Sequence, residues 1–430
     1  MPFDRAEVTP MPQTRALVAT TSAAALAAYD RACITGEPAH FADAAHALAA
    51  MLRKPKAAKA PKAAANVYSA ANLAAALKRL CAVVERKSTI PILSNVRLLA
   101  AKGALKLFAS DLDMLLEISL SGYEGPKMDL TVPAHTLAGM VAGAEVVTFG
   151  ALDADNRLAV TIDGAAAMLP TLAAGDFPVM QFGAAATAVV DGPAWADALG
   201  FVRATISAEE TRYYLNGAYF HLTTRATDGQ REMTFVSTDG SRMSKQTVQA
   251  PEWDGEPTCA IIPLKTVGIA AKGLALGEAI VELNAEAIRF NFADGSVLTS
   301  KVIDGRFPDY TRVIPSGGLN TVMKIQDPKA FVRELTKFGK MSQERSRSVR
   351  LALDGKVLAS LRNMEGGDVS GPLPATHTGK PLEGISFNST YFAEMVSAAC
   401  TVRIGRADDP ALFEYTDRPD RLGVLMPLRA

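Results

Sequence analysis

The sequence predicts an α+β architecture of three repeated domains in series, each with outer antiparallel sheets and two helices. Three observations predict it. An amphipathic helix pattern occurs three times, each followed by the apolar–polar alternation of strands. A shorter helix pattern then follows each set of strands after an extended entry. The joints also echo: Gly-Asp-Phe-Pro at 175–178 and Gly-Arg-Phe-Pro-Asp-Tyr at 305–310 place Phe177-Pro178 and Phe307-Pro308 130 residues apart. A period of that size marks an internal supersecondary repeat. The length of 430 residues suits two to four domains at roughly 100–200 residues each.

Residues 1–65 stand apart. They are alanine-rich, with helix-like stretches around 18–33 and 39–53, where Phe41, Ala45, Leu48 and Leu52 recur at helical spacing. Residues 53–65 hold five basic residues, two prolines and no acid. This composition reads as a solvated, semi-rigid linker, with a basic arm on DNA phosphates as the sharper alternative. The domains are then 66–185, 186–316 and 317–430.

The first helix of each domain carries an apolar stripe: Leu73, Leu77, Leu80 and Val84; then Trp195, Leu199 and Val202; then Phe331, Leu335 and Phe338. Strand-like runs follow at 94–100 and 104–110, at 217–224 and 232–239, and at 348–355 and 356–362. The second helices fall within 132–144, 262–275 and 387–400. Further strand pairs close each domain, at 146–163, at 279–295, and at 401–405 with 411–416 and 423–429.

Lys and Arg number 45, as do Asp and Glu. Zero net charge excludes a uniformly basic nucleic-acid packager, so any such contact must come from local clustering. Basic residues do cluster on the helices: Lys78, Arg79 and Lys87 on or just after the first, Arg203 on the third, Lys265 and Lys272 on the fourth. Residues 320–350 hold eight Lys and Arg, Arg333 and Lys337 among them, against three acids. Such a face suits a phosphate backbone read without sequence preference; a plain solvated helix face is the alternative. Apolar residues at 49% and charged residues at 21% exclude a disordered chain. Cys33, Cys81, Cys259 and Cys400 are widely spaced, which argues against a zinc ribbon or disulfide scaffold and fits a reducing cytoplasm. No apolar run approaches the ~20 residues of a membrane helix, and the N-terminus has no signal core.

Catalytic signatures are missing. There is no Walker-type loop and no nucleophile elbow. Asp111 and Asp113 have no third carboxylate or histidine beside them, so turn chemistry outweighs a metal pair. No enzyme activity, cofactor or metal is expected.

Several blocks carry a resemblance. They are STIPILSNVRL at 88–98, TRYYLNGAYF at 211–220, STDGSRMS at 237–244, TSKVIDGRFPDYTRVIP at 299–315 and the closing GVLMPLRA. In this order they resemble the bacterial β sliding clamp family, the processivity subunit of DNA polymerase III, over about 66–430. The resemblance implies a head-to-tail homodimer whose six domains ring duplex DNA, with the basic helices lining the hole. It also implies the polymerase III catalytic subunit, a clamp loader and other clamp-binding proteins as partners, in the cytoplasm at the nucleoid.

That family docks short peptides between its second and third domains. Carried over, the pocket comprises Leu215, Thr238, Gly240, Arg242, Met243, Pro308 and Val313 from the second domain. The third adds Asn388, Tyr391, Val424, Met426, Pro427 and Leu428. Met, Leu, Val and Pro make an adaptable apolar floor, while Arg242, Asn388 and Tyr391 could hydrogen-bond a peptide backbone. Tyr213 and Tyr214 are placed near DNA, with half-buried strand tyrosines as the plain alternative.

The chain also departs from the family. Ser241 stands where histidine is common, and only Leu169 and Met341 keep apolar character at the dimer positions, Ala167 and Lys340 having lost it. Residues 362–384 are Gly- and Pro-rich where relatives have strand. These departures leave one alternative, a clamp-like peptide-binding module that does not encircle DNA.

Overall fold

A computed structural model describes residues 68–428, apart from 87, 226–227, 258 and 364–366. The expectations for residues 1–65 and for Lys87 therefore lie outside the described residues. Among those described there are six α-helices: α1 (Ala70–Leu80), α2 (Ala134–Val141), α3 (Gly192–Arg203), α4 (Leu264–Leu274), α5 (Pro328–Met341) and α6 (Ser389–Met395).

The first helix of each repeat starts on a side-chain cap. The Ser69 hydroxyl accepts from the Asn72 N–H, Asp191 from that of Ala194, and Asp327 from that of Ala330, at 2.9–3.1 Å. Pro193 and Pro328 add a preset φ in the first turn. The expected stripes all turn inward, and Leu73, Leu77, Leu80, Trp195, Leu199, Val202, Phe331 and Leu335 are essentially inaccessible. α1 packs on α2, α3 on α4 and α5 on α6. The last pair comes close because Gly339 faces α6: a Cβ there would lie 2.2 Å from the Ser389 Oγ.

The strands form sheets that cross the repeat boundaries. A ten-stranded sheet joins the first two repeats, a twelve-stranded sheet joins the second and third, and a three-stranded sheet completes the first. At the first boundary Val297–Lys301 pairs antiparallel with Met114–Ser121, Thr299 opposite Leu115. At the second, Arg418–Leu425 pairs with Arg242–Gln249, Val424 opposite Met243. Ion pairs brace both. Arg79 reaches Asp294 at 2.5 Å and Ser296 at 2.7 Å; Lys265 reaches Asp111 at 2.5 Å, and Lys301 reaches Asp113 at 3.0 Å. Asp111 also accepts from the N–H groups of Asp113 and Met114, the turn chemistry expected of it. The cores of the first two repeats merge into one cluster, while the third has its own.

Two features differ from expectation. The second and third repeats open on short strands, Ala186–Val190 and Thr321–Ile325, before their helices. Five residues are too few for a clear period, and the pairing is long-range, with Ala279–Leu283 and Cys400–Ile404. The Gly/Pro-rich stretch contains a long strand, Gly367–Gly379. Its register against Lys356–Asn363 shifts between Pro372 and Thr376, so Pro374 falls where no regular ladder N–H is needed.

Asp197 on α3 ties the second boundary. It accepts from Arg418 at 2.5 Å, from Gln246 at 3.0 Å and from Arg421. Burial pushes its carboxyl up, but the hydrogen bonds from Arg418, Gln246 and Arg421 outweigh this and leave the pKa at about 2. The unfolded value is ~3.9. The folded value is thus depressed, so the stabilisation is complete above the unfolded pKa and lost as pH falls through the folded one. Asp197→Asn should lower stability at neutral pH by about 1 kcal/mol, allowing for screening of a partly exposed group. It should also flatten the fall in stability between pH 4 and 2; thermal melts across that range check both.

Candidate functional site

The boundary between the second and third repeats gathers most of the predicted pocket. Leu215, Met243 and Val424 come together, with Val236, Phe307, Tyr310 and Leu412, in one buried cluster. The sequence reading missed those four, although Phe307 and Tyr310 lie in the repeated joint. Phe307 stacks on Tyr219, with centroids 4.9 Å apart and planes 5° from parallel. Tyr310 bonds His221 at 3.1 Å. Leu215, Met243 and Val424 therefore form a floor more than an open surface. The accessible apolar groups are Val313 at 45% and Met426 at 40% exposure, with Pro308 exposed and Pro427 and Leu428 half-buried. The Met426 N–H donates to the Ser241 carbonyl at 2.8 Å, and the Leu428 N–H to that of Ser386 at 2.7 Å. These bonds lay the tail from the second repeat's hairpin to the strand Leu382–Asn388. A cavity of about 960 Å³ beside the tail is lined by Met426, Pro427 and Leu428 with Arg350 and Asp408.

The polar members are already engaged. The Arg242 guanidinium is buried between Asp239, at 2.9 Å, and Glu394, and lies 4.2 Å over the Tyr391 ring. Arg242 and Tyr391 do meet, but as a brace between repeats. The Asn388 Oδ1 accepts from the Thr390 and Tyr391 N–H groups at 2.9 and 3.1 Å. It caps α6, which commits the side-chain oxygen and leaves the amide NH2 as the group a peptide could meet. Thr238 donates to the Arg242 carbonyl at 2.7 Å and accepts from the Gly240 N–H at 3.1 Å. It shapes the hairpin on which exposed Gly240 takes φ +90°.

The predicted cations divide into two groups. Lys78, Arg203, Lys272, Arg333 and Lys337 are exposed. Arg333 and Lys337 flank Glu334 at 3.1 and 2.9 Å; their hydrogen bonds hold its carboxyl below the usual range. Arg79 and Lys265 are instead the boundary ties described above. Lys265 also donates to the Val83 carbonyl at 2.6 Å, so its ammonium is engaged although the residue is exposed, and Arg79 is half-buried. Lys78 and Arg86 border a small-residue cleft between α1 and α2. Tyr213 is 54% exposed and Tyr214 half-buried. They sit on the 3-10 turn Glu210–Leu215, not on a strand.

Of the dimer positions, Met341 is exposed. Leu169 is 4% exposed and belongs to the core of the first repeat. Strand alternation turns its neighbour Met168 outward instead, which leaves Leu169 its backbone and Met168 its side chain for a contact there. Among the described residues, no group of three or more His, Cys, Asp or Glu could hold a metal ion.

Residues 68–181 match the family profile described as DNA polymerase III beta subunit, N-terminal domain, and residues 192–309 match that of the central domain. The chain is 36% identical over 367 residues to the beta sliding clamp of Caulobacter vibrioides, covering 82% of this chain and 96% of that relative. Against the Pseudomonas putida beta sliding clamp the identity is 27% over 363 residues, with the same coverage. Among solved structures, the Caulobacter crescentus clamp aligns with a TM-score of 0.77 and 33% identity, over 84% of this chain and 98% of that one. The Bartonella birtlesii clamp bound to griselimycin aligns with 0.77 and 32%, over 84% and 99%.

The hairpin rimming the pocket is testable. A Cβ on Gly240 would sit 2.5 Å from the Arg212 Nη1, at a φ that L-residues rarely adopt. The matching hairpin of the first repeat strains a leucine instead, exposed Leu112 at φ +78°. Gly240→Ala should destabilise by about 1 kcal/mol or more, and Leu112→Gly should stabilise by about 0.5 kcal/mol. Opposite shifts in melting temperature are the readout.

Proposed function

The chain belongs to the bacterial DNA polymerase III β sliding clamp family, and from that we propose that it works as a closed head-to-tail dimer threaded by duplex DNA, carrying partners by a peptide site. It is a DNA clamp and a non-catalytic processivity factor, acting on DNA in the cytoplasm.

One observation carries the ring. At both internal boundaries the third strand after the first helix of one repeat pairs with the last long strand of the next. By this rule the third repeat offers Gly367–Gly379 and the first offers Ala165–Pro170. Ala165–Pro170 is one of the two edge strands of the three-stranded sheet, Val147–Leu152 being the other. Gly367–Gly379 pairs on its outer side only through residues 376–379, which leaves its first half open. One open edge of each kind per chain supports a heterologous contact that closes after two copies, six domains in all. Exposed Met168, Met341 and Leu358 supply apolar surface near those edges.

Neutral overall charge with exposed Lys78, Arg203, Lys272, Arg333 and Lys337 on helices supports weak, sequence-independent phosphate contact. A ring holds by topology and needs no tight base-reading surface. For partners, Val313, Met426, Pro427 and Leu428 over the Leu215–Met243–Val424 floor supply the anchoring patch. The polymerase catalytic subunit, the clamp loader and other clamp-binding proteins are the partners we assign to it, at the nucleoid during replication. The domain limits 66–185, 186–316 and 317–430 belong to the same proposal.

The deciding experiment loads the protein on DNA with a clamp loader. It should sediment at twice the chain mass, stay on circular DNA and leave linear DNA by its ends. Arg333→Glu with Lys337→Glu should shorten retention, most at low salt. A monomer that still binds peptides would instead favour a module that does not encircle DNA. For the pocket, Met426→Ala should weaken a polymerase-derived peptide about tenfold, the scale of an anchor side chain, with the dimer intact. Peptide titration by fluorescence anisotropy, alongside sedimentation, measures it.

A further inference from the structure

The boundary between the first and second repeats carries a groove equivalent, by strand register, to the one between the second and third. Asn95 pairs with Pro133 as Gly217 pairs with Pro263, and each proline leads into the second helix of its repeat. The Asp111 N–H bonds the Met114 carbonyl as the Asp239 N–H bonds that of Arg242, both at 3.3 Å. Leu115 therefore stands where Met243 does. Its partner across the boundary is Thr299, where Met243 has Val424. One strand further, Arg289 stands where Leu412 does. On the other flank, Arg97 takes the place of Tyr219, and Phe177 that of Phe307 in the repeated joint.

The two seats thus share an outline and differ in chemistry. A groove of about 360 Å³ opens here between Phe108, Leu115, Arg97 and Arg289. Val179 stands on its lip at 73% exposure. Arg97 uses its Nε and Nη2 on Asp129, both at 2.8 Å. Arg289 donates its Nε to Thr299 at 3.0 Å, stacks over Phe182 at 4.1 Å and holds Glu282 at 3.9 Å from its Nη1. Each guanidinium has five N–H donors, so both keep donors for a further acceptor. The one acid in the groove, Glu117, is already paired with Lys106 at 2.7 Å. Where the second–third seat has a tyrosine and a leucine, this one has two cations beside an apolar floor.

We infer that the first–second boundary is a second docking site, selective for an extended peptide that carries a carboxylate next to one bulky apolar side chain. This rests on the reading that the second–third boundary docks peptides, since the equivalence is to that seat. Charge complementarity selects the occupant: paired guanidinium groups favour a carboxylate in bidentate geometry, and the Phe108–Leu115 floor accepts the apolar anchor.

Three labelled peptides test this on the full chain by fluorescence anisotropy. Each has one Leu-Phe pair, flanked by aspartates, by lysines or by serines. The aspartate peptide should bind the wild type, weaken with salt, and weaken about tenfold in Arg289→Ala. Val179→Glu, at an exposed position that folding does not need, should weaken it by a similar factor. Met426→Ala should leave it unchanged. Equal binding of the aspartate and lysine peptides, no binding of the aspartate peptide, or loss with Met426→Ala in place of Arg289→Ala would each overturn the inference. The serine peptide keeps the two seats distinct: weakening only with Met426→Ala, it would leave the second–third reading standing while the inference fell, and indifference to Met426→Ala would overturn that reading instead.

Discussion

Backbone pairing across the repeat boundaries is the constraint on which the rest depends. A strand of one repeat hydrogen-bonds a strand of the next, so the position of each repeat is fixed by register and not by side-chain contact alone. A slip of one residue would turn every side chain at the boundary to the wrong face. The ties through Arg79, Lys265, Lys301 and Asp197 hold that register laterally. Both candidate grooves lie across such a boundary, so their shapes follow from the same pairing.

Much of the architecture was legible in the sequence because the helices have strong periods. A stripe such as Leu73, Leu77 and Leu80 has one solution, burial against a sheet, and the structure adopts it. Thr321–Ile325 was not legible, since its meaning depends on a partner far along the chain. The same limit applied to Gly367–Gly379, where composition argues against a strand and a local irregularity accommodates Pro374.

The candidate site was legible as a neighbourhood and less so as a set of roles. Leu215, Met243 and Val424 do converge, because motif residues sit on strands whose pairing brings them together. What one sequence cannot show is prior commitment of a polar group. Asn388 is needed by a helix terminus, Arg242 by two carboxylates, and Arg79 by Asp294. Burial works against the Asp294 carboxylate, yet Ser296 and Arg79 keep it below the usual range. A residue type says which bonds are available, and only the fold says which are already made.

The long reach of these pairings also bears on how the chain is made. Met114–Ser121 emerges from the ribosome well before Val297–Lys301, the strand that covers its outer edge. For that interval the nascent protein displays an unprotected row of backbone donors and acceptors, a template for aggregation. Closure of the ten-stranded sheet is therefore a late, non-local event, slow by topology. A fold whose repeats are stitched edge to edge thus passes through a stage in which its sheet edges are still uncovered.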